Sequence, residues 1–235
     1  MLKITNLNKK YKNVSAVEDF NLEIENGHIY GVVGPNGAGK TTFFKMMAGL
    51  AAPDSGEITV STGEPLEKYR EKMSFMIESP YLYDSMTAFE NMKIIGGIKG
   101  VTDENKMRNL LELVKLDGTG KKKVKEFSLG MRQRLGIACA LVSNPEVLVL
   151  DEPMNGVDPE GIVALREMLL KLCKDKNITL LVSSHILGEL FQLATDFIFI
   201  KEGRILKVID KNTLEDTGDN LEEFYMKEII GHGDG

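Results

Sequence analysis

Three short stretches carry residues whose types and spacing could do chemistry. Gly34-Pro-Asn-Gly-Ala-Gly39-Lys40-Thr41 fits the pattern G-x-x-x-x-G-K-[ST]. Glycines let a backbone curl so that successive N–H groups point inward, which suits phosphate oxygens. Lys40 can then reach terminal phosphates, and the Thr41 hydroxyl can ligate Mg²⁺. The second stretch, Val147-Leu-Val-Leu-Asp151-Glu152-Pro, ends an apolar run in two carboxylates. Asp151 could hold Mg²⁺, directly or through water, provided its strand neighbours the phosphate loop. Glu152 could polarise an attacking water. The third, Met73-Ser-Phe-Met-Ile-Glu78-Ser-Pro, also closes on a carboxylate. Glu78 is either the first solvated residue of a loop or part of a site.

These residues need elements to hold them. Residues 1–30 alternate polar and apolar, which predicts antiparallel strands with one wet face. An apolar strand at 29–33 runs into the glycine-rich turn, and a helix is expected over 41–50. Residues 56–60 read as an edge strand and 73–77 as a short buried one. From about 80 to 144 the pattern turns helical. Met107, Leu110, Leu111 and Val114 form one stripe, and a further helix is expected over 129–142. Strands follow at 147–150 and 179–183, separated by a helix bearing Ile162, Leu165, Leu169 and Leu172. A hairpin turns at Glu202-Gly203, and an amphipathic helix is expected over 221–230. Apolar strands alternating with helices imply a mostly parallel α/β sheet covered on both faces. The expected units are 1–79, the core with an antiparallel β-subdomain; 80–144, an inserted helical subdomain; 145–210, the rest of the core; and 211–235, a terminal helix and frayed tail.

Composition narrows the functional classes. The chain has 235 residues, 43% hydrophobic and 27% charged, with net charge −6. That balance argues against a nucleic-acid partner held by a broad basic surface. The one basic cluster, Lys121 to Lys125, reads as a solvated loop. No apolar run approaches the roughly 18–20 residues that span a bilayer, and the N-terminus lacks a signal-peptide segment. A cytoplasmic protein is expected, reaching a membrane only through a partner. The two cysteines, Cys139 and Cys173, lack metal-ligand spacing and read as buried thiols in a reducing compartment.

Phe127-Ser-Leu-Gly-Met131-Arg-Gln-Arg, just ahead of the acidic strand, resembles the signature motif of ATP-binding-cassette (ABC) ATPases, usually L-S-G-G-Q. Other elements resemble that family in order: Tyr11 its adenine-stacking aromatic, residues 34–42 its Walker A loop, 147–152 its Walker B strand, 155–158 its D-loop, and Ser184-His185 its switch histidine. The resemblance implies a P-loop NTPase fold that binds ATP and Mg²⁺. Nucleotide contacts would come from Tyr11, Val17, Asn36, Gly37, Ala38, Gly39, Lys40, Thr41 and Thr42. It further implies a head-to-tail dimer of two copies. Ser128, Gly130 and Met131 of one copy would then meet the ATP held by the other. Glu152, His185, Lys40 and Glu78 would serve hydrolysis, and Thr41, Glu78 and Asp151 would face the metal.

Two stretches depart from the family pattern, the signature and the strand end at Glu78. Leu129 replaces a signature glycine and Met131 the glutamine. Glu78 stands where most members carry the Q-loop glutamine, which keeps an oxygen but loses the amide donor and adds a charge. Both variants resemble the lantibiotic-immunity and bacitracin-type exporter branch. The resemblance therefore implies an ATPase subunit driving a separate membrane permease at the inner face of the membrane, with an antimicrobial peptide as cargo. Alternatives are a soluble, non-transport ABC ATPase, a subunit for an unrelated exported substrate, and a small-molecule kinase, which would leave the signature stretch and Ser184-His185 unexplained. Lys40→Ala is expected to lose nearly all nucleotide binding in a fluorescent-nucleotide titration; unchanged ATP affinity would rule out the phosphate-loop assignment.

Overall fold

The computed structural model describes residues 1–231. The alternating N-terminal residues form β1 (Leu2–Tyr11) and β2 (Val14–Ile24), paired antiparallel. The apolar β3 (Ile29–Val33) leads through the glycine-rich turn into α1 (Lys40–Met47). Next come β4 (Ser55–Val60), a one-turn α2 (Leu66–Tyr69) and β5 (Met73–Met76). Three helices follow: α3 (Ala88–Ile98), α4 (Glu104–Leu113) and α5 (Leu129–Leu141). The chain then alternates through β6 (Val147–Leu150), α6 (Pro159–Lys176), β7 (Thr179–Ser183), α7 (Leu187–Leu193) and β8 (Asp196–Lys201). It closes with β9 (Arg204–Asp210), α8 (Lys211–Asp216) and α9 (Leu221–Phe224).

Local chemistry explains the helix starts. Thr87 and Glu90 form a reciprocal capping box on α3. Asp103 caps α4, and the Ser128 hydroxyl accepts from the Met131 N–H to cap α5. The β8–β9 hairpin turns through Glu202 and Gly203, both at positive φ, as the sequence predicts.

The strands form a three-stranded sheet, β2-β1-β4, and a six-stranded sheet, β5-β6-β7-β3-β8-β9. Every pairing in the larger sheet is parallel except β8 with β9. Side chains of the buried strands alternate between two apolar clusters. Ile29, Val33, Leu148 and Leu150 join the cluster that includes α3 to α7. Tyr30, Val32, Val147 and Val149 join the one shared with α1 and the antiparallel sheet. Among the described residues, no helix is long and apolar enough to cross a membrane.

Three expectations are corrected here. The acidic strand β6 does not neighbour the phosphate-loop strand β3; β7 lies between them. The first helix begins at Lys40 rather than Thr41 and ends at Met47. The terminal helix passes after Phe224 into a π-helical stretch, Tyr225–Ile230. Successive residues of an α-helix point about 100° apart, yet Phe224 and Tyr225 both pack on Phe199, at 5.5 and 6.2 Å between ring centroids. The wider turn is compatible with both contacts. His232 and the tail beyond it lie outside the described residues.

Phe43 of α1 joins the two sheets, fully buried with its ring 5.5 Å from that of Phe20. Phe43→Ala is expected to cost roughly 3–5 kcal/mol in urea unfolding. A loss below about 1 kcal/mol would mean that this packing does not hold α1 to the antiparallel sheet.

Candidate functional site

The phosphate loop is pinned by backbone. Gly39 sits at φ 109°, and a Cβ there would lie 2.2 Å from the Ala16 carbonyl oxygen. A Cβ on Gly34 would lie 2.2 Å from the Ile200 carbonyl oxygen. Neither position admits a side chain, so the loop is clamped between β2 and β8. Lys40 is buried, and its Nζ donates to the carbonyl oxygens of Gly34 at 2.6 Å and Pro35 at 3.1 Å. Burial pushes its pKa down, against the opposing pull of Glu152 and Asp151. A phosphate would give this ammonium charged acceptors, stronger than the loop's carbonyls.

A cleft of about 170 Å³ opens over the loop, lined by residues 36–42 with Ala16, Asp151 and Glu152. Strand register brings the carboxylates there. Leu150 stands level with Val182 across β6 and β7, and Ser183 level with Val32 across β7 and β3. Asp151 therefore leaves its strand beside Ser183. Its two oxygens are both held: Thr41 Oγ1 donates to Oδ2 and Ser183 Oγ to Oδ1, each at 2.6 Å. Ser183 Oγ in turn accepts the Glu152 N–H at 2.8 Å. Glu152 takes φ 51°, uncommon for a non-glycine residue. Its Oε2 lies 2.8 Å from His185 Nδ1 and 3.3 Å from the His185 backbone N. One chain of hydrogen bonds thus runs from Thr41 through Asp151, Ser183 and Glu152 to His185.

Thr41 and Asp151 fit Mg²⁺. They offer hard oxygens side by side at the cleft, and Mg²⁺ takes one or two protein oxygens while drawing the rest from phosphate and water. Among the described residues, no cluster of three or more His, Cys, Asp or Glu could hold a metal unaided.

The other expected residues divide. Glu78, at φ 66°, does not line the cleft; its Oε1 accepts from Lys45 Nζ at 2.8 Å. Lys45 lies one helical turn past Thr41, and Glu78 raises its pKa first through that bond, with smaller contributions from Tyr11 and Asp151. The Glu78 charge is thus met by an ammonium at the rim of the site. Tyr11 is half exposed at the end of β1, with Lys9 Nζ 5.6 Å from its ring centroid. Val17 is fully buried, and Ala16 lines the cleft in its stead. Lys121 and Lys122 are exposed as expected, and both thiols are free and buried, with Cys139 pushed up to about 12 by burial.

The signature stretch lies against the D-loop of the same chain. A Cβ on Gly156 would come 2.6 Å from Leu129 Cδ2, and one on Gly130 3.1 Å from Val157 Cγ1. Leu129, the departure from the family glycine, therefore sits over Gly156 while remaining half exposed. Met131 packs on the apolar cluster that includes α3 to α7.

Sequence reading missed Ser183 and Lys45. The signal for Ser183 was a hydroxyl closing an otherwise apolar strand end, and for Lys45 its i+4 spacing from Thr41. Exposed ion pairs contribute about 0–1 kcal/mol. Glu78→Gln is accordingly expected to leave urea-measured stability within about 1 kcal/mol and ATP affinity within a few-fold. A larger stability loss would make the Lys45–Glu78 pair a structural anchor.

A family model described as "ABC transporter" matches residues 17–155. The chain is 43% identical over 231 residues to the lantibiotic transport ATP-binding protein SrtF of Streptococcus pyogenes, covering 98% of each. It is 41% identical over 232 residues to the bacitracin transport ATP-binding protein BcrA of Bacillus licheniformis, covering 97% of this chain and 76% of that one. It superposes with TM-score 0.80 and 26% identity on the ATP-binding cassette MJ0796, a dimer in a post-hydrolysis state bound to ADP and Pi, over 90% of this chain and 99% of that one. With the clamped loop, the signature helix and the paired carboxylates in that order, the chain belongs to the ABC transporter family, as its ATP-hydrolysing subunit.

Proposed function

We propose that the chain hydrolyses MgATP in a head-to-tail pair of copies and so drives a separate membrane permease that exports an antimicrobial peptide of the lantibiotic or bacitracin kind. The observation that carries this reading is the hydrogen-bonded run from Thr41 to His185 along one wall of the phosphate cleft. Lys40 and the loop N–H groups bind the β- and γ-phosphates. Thr41 and Asp151 hold Mg²⁺, which neutralises phosphate charge when bound. Glu152 accepts the proton of the attacking water. His185 orients that carboxylate through Nδ1, leaving Nε2 as the ring nitrogen that can meet the γ-phosphate. Glu78 acts on metal affinity and on coupling to the permease, from its position beside Lys45.

Dimerisation is supported by the start of α5, where Ser128 and the half-exposed Leu129 stand ready for a second copy's nucleotide. Docking of the permease is supported by a groove of about 420 Å³ between core and helical subdomain, lined by Leu50, Phe75, Tyr81, Leu82, Ile95 and Ala140 among others. Tyr81 is 95% and Leu50 71% exposed, and exposed apolar patches mark interaction sites. The groove begins next to Glu78, so the same loop touches the catalytic rim and the docking surface. The permease would hold the chain at the inner face of the membrane. The peptide cargo is supported by the likeness to SrtF and BcrA.

Glu152→Gln is expected to bind ATP, stall turnover and accumulate an ATP-bound dimer by size-exclusion chromatography; hydrolysis at the parental rate would remove Glu152 as the base. Tagged chain drawn from detergent-solubilised membranes should carry a hydrophobic permease, and cells lacking the chain should become sensitive to a lantibiotic. Recovery without any membrane protein, with sensitivity unchanged, contradicts the transport reading.

A further inference from the structure

We propose that Ser183 is a positioning residue for hydrolysis, holding the metal-side carboxylate and the water-side carboxylate in one fixed relation. The inference rests on the roles assigned above to Asp151 and Glu152.

Ser183 ends β7, between the acidic strand and the phosphate-loop strand. Its three predecessors, Leu180, Leu181 and Val182, are apolar and fully buried, as a central parallel strand requires. Ser183 is equally buried, at 0% exposure. A hydroxyl there is unfavourable unless its hydrogen bonds are made. Both are made, and both go to the catalytic run: the proton to Asp151 Oδ1, the lone pair to the Glu152 N–H.

Each bond answers a specific need. Asp151 is itself buried, and Thr41 grips only its Oδ2. When Thr41 turns its hydroxyl oxygen to a metal, Ser183 is the remaining hydroxyl that fixes the plane of the carboxylate. Glu152 lies beyond the end of β6, at positive φ, where the sheet ladder offers its N–H no partner. Ser183 supplies one, and that backbone turn carries the Glu152 side chain to His185. The side chain touches neither substrate nor water in this scheme; it acts through its two neighbours.

The test uses full-length Ser183→Ala, Ser183→Cys and Ser183→Thr, with Glu152→Gln as control. Cysteine keeps the size but donates weakly, and threonine keeps the hydroxyl. Urea unfolding scores folding, Mn²⁺ binding in the presence of ATP is read by electron paramagnetic resonance, and phosphate release gives kcat and KM. The alanine and cysteine variants are expected to bind ATP in EDTA as the parent does, to bind Mn²⁺ about tenfold more weakly, and to lose about tenfold or more in kcat with KM for ATP little changed. Threonine is expected to restore Mn²⁺ affinity and kcat to within about threefold. If alanine does not fold, cysteine carries the test. Parental Mn²⁺ affinity and kcat in a folded alanine or cysteine variant overturn the proposal, as does a threonine variant no better than alanine. If Glu152→Gln turns over normally, the assignment beneath the proposal has failed and the proposal falls with it; if only the serine variants are normal, the assignment stands and the proposal alone falls.

Discussion

The alignment of strand ends in the parallel sheet is the constraint on which the rest depends. Parallel pairing fixes Met76, Leu150, Val182 and Gly31 in one register, so four chain segments leave the sheet on the same side. Ligand sites of open α/β sheets form at the carboxyl ends of their strands for this reason. Here the segments deliver a phosphate loop, two carboxylates, a buried serine with a histidine, and a glutamate. A one-residue slip of β6 against β7 would invert the apolar alternation of a strand buried on both faces and uncouple Asp151 from Ser183. The two apolar clusters therefore protect the site as well as the fold.

Electrostatics complete what register begins. Two adjacent carboxylates at a buried strand end repel each other and lose hydration, so each needs donors. Asp151 receives two hydroxyls, and the Glu152 carboxylate receives the ring Nδ1 and backbone N–H of His185. Lys40, desolvated and turned onto its own loop, supplies a positive charge within electrostatic reach of both carboxylates. Glu78 would add a third negative charge to this wall, but Lys45 neutralises it at the rim. That pair explains how a glutamate can occupy the position without facing Asp151 unscreened.

Much of the fold and site was legible because the relevant chemistry is local. The phosphate loop needs consecutive glycines, and Asp151-Glu152 needs an apolar run, so both stand in unbroken stretches. Strand order was not legible, since β7 slips between β3 and β6 through packing between distant segments. The role of Ser183 was hidden for that reason: its strand-end hydroxyl matters only once its strand lies between the other two. The inward face of β2 placed Val17 in the core and gave Ala16 the cleft, a one-residue shift that alternation alone does not fix. The partner of Glu78 lies on α1, far away in sequence.

The central claim is that Thr41 and Asp151, held by this register, form the metal side of an ATP-hydrolysing cleft. Phosphate release from ATP, measured against Mg²⁺ concentration in the parent chain and in Asp151→Asn, tests it most directly. The account predicts saturable, Mg²⁺-dependent release in the parent and its near loss in the variant, with ATP binding in EDTA retained. Release that ignores Mg²⁺, or that persists at the parental rate in Asp151→Asn, would contradict it.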